Sequence, residues 1–181
     1  KMVPFSFGQA VEDVYQANRM EAQRHGHDMR LMLEEELPQV IGDRERIVQV
    51  MMNVISNSIK YTPDNGKILI RAGRDGNWVW MEVSDNGIGI PVEDRPRIFE
   101  RFYRVDKARS RESGGTGLGL SIAKEIIDRH EGVLRLVDRP GPGLTVRMEL
   151  KMEGPGYETA KYGPPAPSQY TAEGRGTGEG C

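Results

Sequence analysis

The chain has 181 residues, 25 Lys and Arg against 27 Asp and Glu, and 37% hydrophobic residues, which is long enough to bury a full core. A formal net charge of −2 and an isoelectric point near 6.0 argue against a nucleic-acid-binding domain, which should carry a basic excess overall. No apolar run approaches the roughly 18 residues of a membrane span, no secretory signal opens the chain, and Cys181 is the one cysteine, so no intramolecular disulfide can form.

Taken in chain order, apolar periodicity predicts helices at about 8–25, 43–61 and 117–131, with strands near 29–33, 67–72, 78–84, 132–138 and 144–151. Ser6 and Asp43 stand where a side-chain oxygen can cap the first two helices. Strands and helices segregated in this way suit an α+β two-layer sandwich spanning 1–152. From Glu153 to Cys181 there is no Val, Ile, Leu, Met or Phe, and eleven of the 29 residues are Gly or Pro. Such a tail cannot bury enough surface to offset its ordering entropy and is expected to be disordered, with Gly163-Pro-Pro-Ala-Pro as an alternative polyproline II docking segment.

Four stretches carry chemistry. On the 43–61 helix, Ile47, Val48, Met51, Met52, Val54, Ile55 and Ile59 cover one face, while Asn53, Asn57 and Lys60 form a stripe opposite, flanked by Tyr61. A solvated face is one reading of that stripe. Asn is a poor helix former, however, and its amide oxygen can ligate Mg²⁺ while a lysine meets phosphate. Next, Val83-Ser-Asp85-Asn-Gly87-Ile-Gly89-Ile90 places a carboxylate where a strand stops. Asp85 is either a turn residue accepting local N–H groups or a pocket residue accepting from an exocyclic amine, which would select ATP over GTP.

Arg95 to Arg111 then gathers seven basic residues against Glu100 and Asp106, suiting a basic lid over a triphosphate anchored by Phe99, Phe102 and Tyr103. Finally, Ser113-Gly-Gly115-Thr116-Gly117-Leu118-Gly119-Leu120-Ser121 runs into a helix. Glycines let the backbone approach a ligand, and the unpaired N–H groups of a helix start attract an anion such as phosphate.

In order and spacing, Asn53-Val-Ile-Ser-Asn57-Ser-Ile-Lys60-Tyr61, Asp85-Asn-Gly87-Ile-Gly89, Ile98-Phe99-Glu-Arg-Phe102-Tyr-Arg104 and Gly115-Thr-Gly117-Leu-Gly119-Leu120 resemble the N, G1, F and G2 boxes of sensor histidine kinase catalytic domains. The resemblance covers about residues 5–150. It implies the Bergerat fold, a mixed sheet with helices on one face, shared with chaperone, gyrase and mismatch-repair ATPases. By the same resemblance Asp85 takes the adenine amine and Asn57 ligates Mg²⁺. Asn53, Lys60 and Tyr61 bracket phosphates and ribose, and Arg104 reaches the γ-phosphate. Gly87, Gly89, Gly115, Gly117 and Gly119 give clearance around Thr116, with Ile90, Leu118 and Leu120 on the apolar side of the pocket. Asn53, Lys60 and Arg104 are thereby the candidate catalytic residues. The family's last strand carries Gly-x-Gly followed by Ser or Thr, whereas here Gly141-Pro-Gly143 is followed by Leu144, leaving Thr145 as the displaced candidate.

The family transfers the ATP γ-phosphoryl to a histidine on a dimerisation domain, from which a response regulator receives it. His25, His27 and His130 match no acceptor box and are read as structural or surface residues, so this chain should be a monomeric, bacterial, cytoplasmic kinase fragment of a membrane-anchored parent. Two other readings are a self-contained ATPase, against which the 98–104 box speaks, or a serine-directed kinase of the same fold, and a non-enzymatic nucleotide-sensing module.

Overall fold

A computed structural model describes residues 1–99 and 118–156. Arg104, Gly115, Thr116, Gly117, most of the basic run and residues 157–181 of the tail expected to be disordered lie outside the described residues, and Leu118 and Gly119 enter only as backbone.

Local chemistry sets the first two helices. Ser6 accepts from the Gln9 amide at 3.1 Å and opens α1 (Phe7–Arg24), and Asp43 accepts from the Arg46 amide at 3.3 Å and opens α2 (Arg44–Tyr61). Each satisfies an amide that the helix start leaves unpaired. α1 ends where Gly26 takes φ +70°, and α2 ends where Thr62, preceding Pro63, turns to extended backbone. α1 buries Phe7, Ala10, Val11, Val14, Asn18 and Ala22, while α2 buries Ile47, Val50, Met51, Val54, Ile55, Ser58 and Ile59, the spacing of a single helical face.

That face lies on a five-stranded sheet of β2 (Asp28–Leu33), β4 (Lys67–Asp75), β5 (Trp78–Asp85), β7 (Leu144–Lys151) and β6 (Val133–Leu136), in this order. β2 and β4 are parallel and the other neighbours antiparallel, so the sheet is mixed, as expected. α3 (Leu118–Arg129) packs beside α2 and over β6. Ile68 and Ile70, Val79, Met81 and Val83, and Val146 and Met148 alternate onto the helix side.

The opposite face is polar and holds a buried carboxylate. Glu82 is 2% exposed and accepts from Arg71 at 2.7 Å and from Arg139 and Arg147 at 2.8 Å. Burial alone would raise its pKa, but the bonds from Arg147 and Arg71 and the nearby Arg139 charge bring it below the ordinary glutamate range. The Arg147 guanidinium also lies 4.6 Å from the Trp80 ring centroid.

Three features depart from the sequence expectation. β1 (Val3–Ser6) and β3 (Gln39–Gly42), two unpredicted strands, pair antiparallel. α3 stops at Arg129 instead of 131, because Glu131 takes φ +56° and the Gly132 amide bonds back to the Ile127 carbonyl. β6 is only four residues long. His130 is buried, 4% exposed with both ring nitrogens bonded to backbone, a structural residue. No described helix is long and apolar enough to cross a membrane.

Candidate nucleotide-binding site

Asp85 closes β5 with the same facing as Val83, toward the helices. Its two oxygens have different partners. Oδ1 accepts from the Gly87 amide at 2.9 Å and the Leu144 amide at 3.3 Å, the local turn role. Oδ2 accepts from Ser58 Oγ on α2 at 2.6 Å. Burial pushes the Asp85 carboxyl above its ordinary range, opposed by the bonds from Ser58, Gly87 and Leu144 and by the nearby His27.

Close backbone approach brings three segments to this carboxylate. A Cβ on Gly87 would lie 2.5 Å from the Tyr61 carbonyl, and the Ile88 amide bonds that carbonyl at 3.3 Å. Thus the turn after β5 is fastened to the end of α2. On the β7 side, Gly143 has φ +98° and a Cβ there would meet the Asp85 carbonyl at 1.8 Å, so glycine is required on both counts. Gly89 has φ +74°. Asn86 faces elsewhere, its side chain accepting from the Lys67 amide at 2.8 Å.

The α2 stripe lies on the helix side turned from the core, with Asn53, Asn57 and Tyr61 half-buried and Lys60 exposed. The Asn57 and Lys60 side chains make no hydrogen bond or ion pair among the described residues, so an amide oxygen and an ammonium remain available. Ile90 and Leu120 are half-buried against the core. Part of the basic run is already neutralised, because Arg95 bonds Asp138 at 2.6 Å and the Ile90 carbonyl at 3.3 Å.

Thr145 does not join this group. Register pairs it with Ser84, and the two hydroxyls bond at 2.9 Å on the sheet face away from the helices. It is the neighbouring Leu144 that meets Asp85, through its backbone amide. Sequence reasoning missed that amide, and it also missed Ser58. The available signal for Ser58 was a hydroxyl four residues after Val54, on the apolar face of α2.

The family model described as histidine kinase-, DNA gyrase B- and HSP90-like ATPase matches residues 42–154. The chain is 44% identical over 111 residues to the sensor-like histidine kinase SenX3 of Mycolicibacterium smegmatis, a match covering 61% of this chain and 29% of that protein. The catalytic domain of histidine kinase ThkA superposes with a TM-score of 0.75 at 30% identity, over 84% of this chain and 97% of ThkA's. A ThkA structure in complex with response regulator protein TrrA matches with a TM-score of 0.70 at 28% identity, over 83% of this chain and 42% of that one. The chain therefore spans less than a third of the curated relative's length. Since the family match takes in more than half of the chain, and does so across α2, the Asp85 turn and β7, this protein belongs to the histidine kinase-, DNA gyrase B- and HSP90-like ATPase family and is a homologue of the sensor histidine kinases.

Proposed function

We propose that this domain binds ATP with Mg²⁺ and donates the γ-phosphoryl to a histidine on a dimerisation domain outside this chain, as the catalytic domain of a two-component sensor kinase. The observation that carries the reading is the Asp85 carboxylate, held by α2, the β5 turn and β7 beside the Asn57 and Lys60 stripe.

Asp85, an acceptor when ionised, suits the exocyclic amine of adenine and repels the oxygen that guanine carries there. Lys60 suits a phosphate, with Asn53 and Tyr61 toward phosphate and ribose. The uncommitted Asn57 amide oxygen is the kind of hard donor that Mg²⁺ takes alongside phosphate oxygens and water. When bound, the metal would neutralise charge on the phosphates. The resemblance adds Arg104 at the γ-phosphate and Gly115, Gly117 and Gly119 as backbone clearance around Thr116, with Leu118 and Leu120 closing the apolar side of the pocket.

In the transfer, a ring nitrogen of the acceptor histidine attacks the γ-phosphorus as the bond to the β-bridging oxygen breaks and ADP leaves. The residues named here position the donor and offset its charge, which is most of what phosphoryl transfer asks of a protein. A response regulator would draw the phosphoryl from that histidine, and the parent would be membrane-anchored with this domain on the cytoplasmic side.

The experiment supplies ATP and a cognate acceptor-histidine hairpin and follows label from the γ-position. Label on the hairpin supports the kinase reading. ATP binding without any transfer overturns it, and steady phosphate release by the domain alone favours a self-contained ATPase of the same fold.

A further inference from the structure

We infer that Ser58 is a positioning and specificity-determining residue at the base end of the nucleotide site: its hydroxyl proton, committed to Asp85 Oδ2, locks the carboxylate and leaves two acceptors side by side. This rests on the ATP reading of the site.

The direction of that bond follows from chemistry. An ionised carboxylate only accepts, so at 2.6 Å the Ser58 hydroxyl must donate. Its oxygen keeps lone pairs but has no second proton to offer. Gly87 and Leu144 amides occupy Oδ1, so Oδ2 is the oxygen left for a base, and among the described residues it is Ser58 that fixes it. Ser58 is 7% exposed on the core-facing side of α2, and the carboxylate rotamer is therefore set from the packed helix as well as from the turn. A purine with an amine at position 6 meets two acceptors there, while a 6-oxo purine meets no donor. The Ser58 bond also opposes the burial that raises the Asp85 pKa. Among the described residues, the titratable group acting on Asp85 is His27, on the α1–β2 connection.

The test titrates ATP and inosine triphosphate into the full chain and into Ser58→Ala and Ser58→Thr between pH 5 and 8, with melting curves as the folding control. Alanine is a good helix former, so the first variant should fold. Loss of one charge-assisted bond predicts about five- to tenfold weaker ATP binding in S58A. Inosine triphosphate binding should change little. The acid limb of ATP affinity should move to higher pH in S58A, and S58T should restore both properties. His27 is common to all three proteins, so the difference reports Ser58. Unchanged ATP affinity and pH profile in S58A, or an equal loss of both nucleotides, overturns the Ser58 role while leaving the site reading standing. If the wild type itself does not bind ATP, the site reading falls.

Discussion

Asp43 and His130, 87 residues apart in sequence, are joined by a hydrogen bond: the Asp43 backbone amide donates to His130 Nε2 at 3.0 Å. The other ring nitrogen, Nδ1, donates to the Ile126 carbonyl at 2.9 Å. Imidazole that accepts at one nitrogen and donates at the other is a neutral tautomer with its proton on Nδ1. The ring thereby bolts the end of α3 to the N-cap of α2. A Cβ on Gly42 would lie 3.2 Å from it, so the strand before the cap is drawn in as well.

His130→Ala should destabilise the domain by about 2–4 kcal/mol, because it opens a hole and leaves the half-buried Asp43 amide without its partner. Urea denaturation measures this. ATP affinity of the folded variant should stay within about twofold, since 15 helical residues, or roughly 22 Å, separate Asp43 from Ser58. A stability change below about 1 kcal/mol would remove His130 as a structural bolt.

Glu82 predicts a pH dependence. Its folded pKa lies below the ordinary glutamate value, so its stabilisation is present above the unfolded pKa and is lost as pH falls through the folded one. Glu82→Gln leaves Arg71, Arg139 and Arg147 without their shared carboxylate and should cost about 3 kcal/mol at pH 7. The gap between wild type and variant should narrow on acidification below about pH 4.5. Unfolding curves at pH 7 and pH 4 supply the comparison, and a gap that stays constant refutes the assignment.

What was legible in the sequence followed the range of the forces involved. The caps Ser6 and Asp43 were readable because each acts on an amide three residues away, and the long faces of α1 and α2 because periodicity accumulates over 18 residues. β1 and β3 were not, since strands of four residues show too little alternation and their pairing is non-local. The Glu82 cluster joins β4, β5, β7 and the loop between β6 and β7, and no spacing along one element announces it. That Thr145 faces away from Asp85 was not legible either, because strand register, unknown in advance, decides which of two adjacent residues shares its face. Ser58 was hidden in plain view by the amides beside it.

Two glycines in one loop should respond differently to the same substitution. Gly141 has φ +95° and open space within 4 Å of where a Cβ would stand, whereas Gly143 has φ +98° and the Asp85 carbonyl at 1.8 Å from that position. Gly141→Ala should cost only the left-handed strain, about 1–2 kcal/mol. Gly143→Ala adds a backbone clash that must push β7 off Asp85, so the cost should exceed about 3 kcal/mol and ATP binding should weaken with it. Thermal melts and ATP titration of both variants measure the contrast, and equal effects would mean that β7 does not hold the carboxylate.

Asp85→Asn should separate function from stability. Burial raises the Asp85 pKa in the folded state. A group shifted upward contributes stability below its unfolded pKa that is lost as pH rises through the folded one. At neutral pH the ionised carboxylate therefore costs stability, and a neutral amide of the same shape removes that cost. Asn can still accept from the Gly87 and Leu144 amides through its oxygen, and Ser58 can turn to accept from its nitrogen. The variant should thus gain up to about 1 kcal/mol at pH 7, with the gain shrinking toward acid pH. Its ATP affinity should nevertheless fall about tenfold or more, because an amine donor on the nucleotide now faces an amide that can present N–H instead of an oxygen. Melting curves across pH together with ATP titration test both halves. A variant that keeps its ATP affinity would show that Asp85 is a turn residue alone.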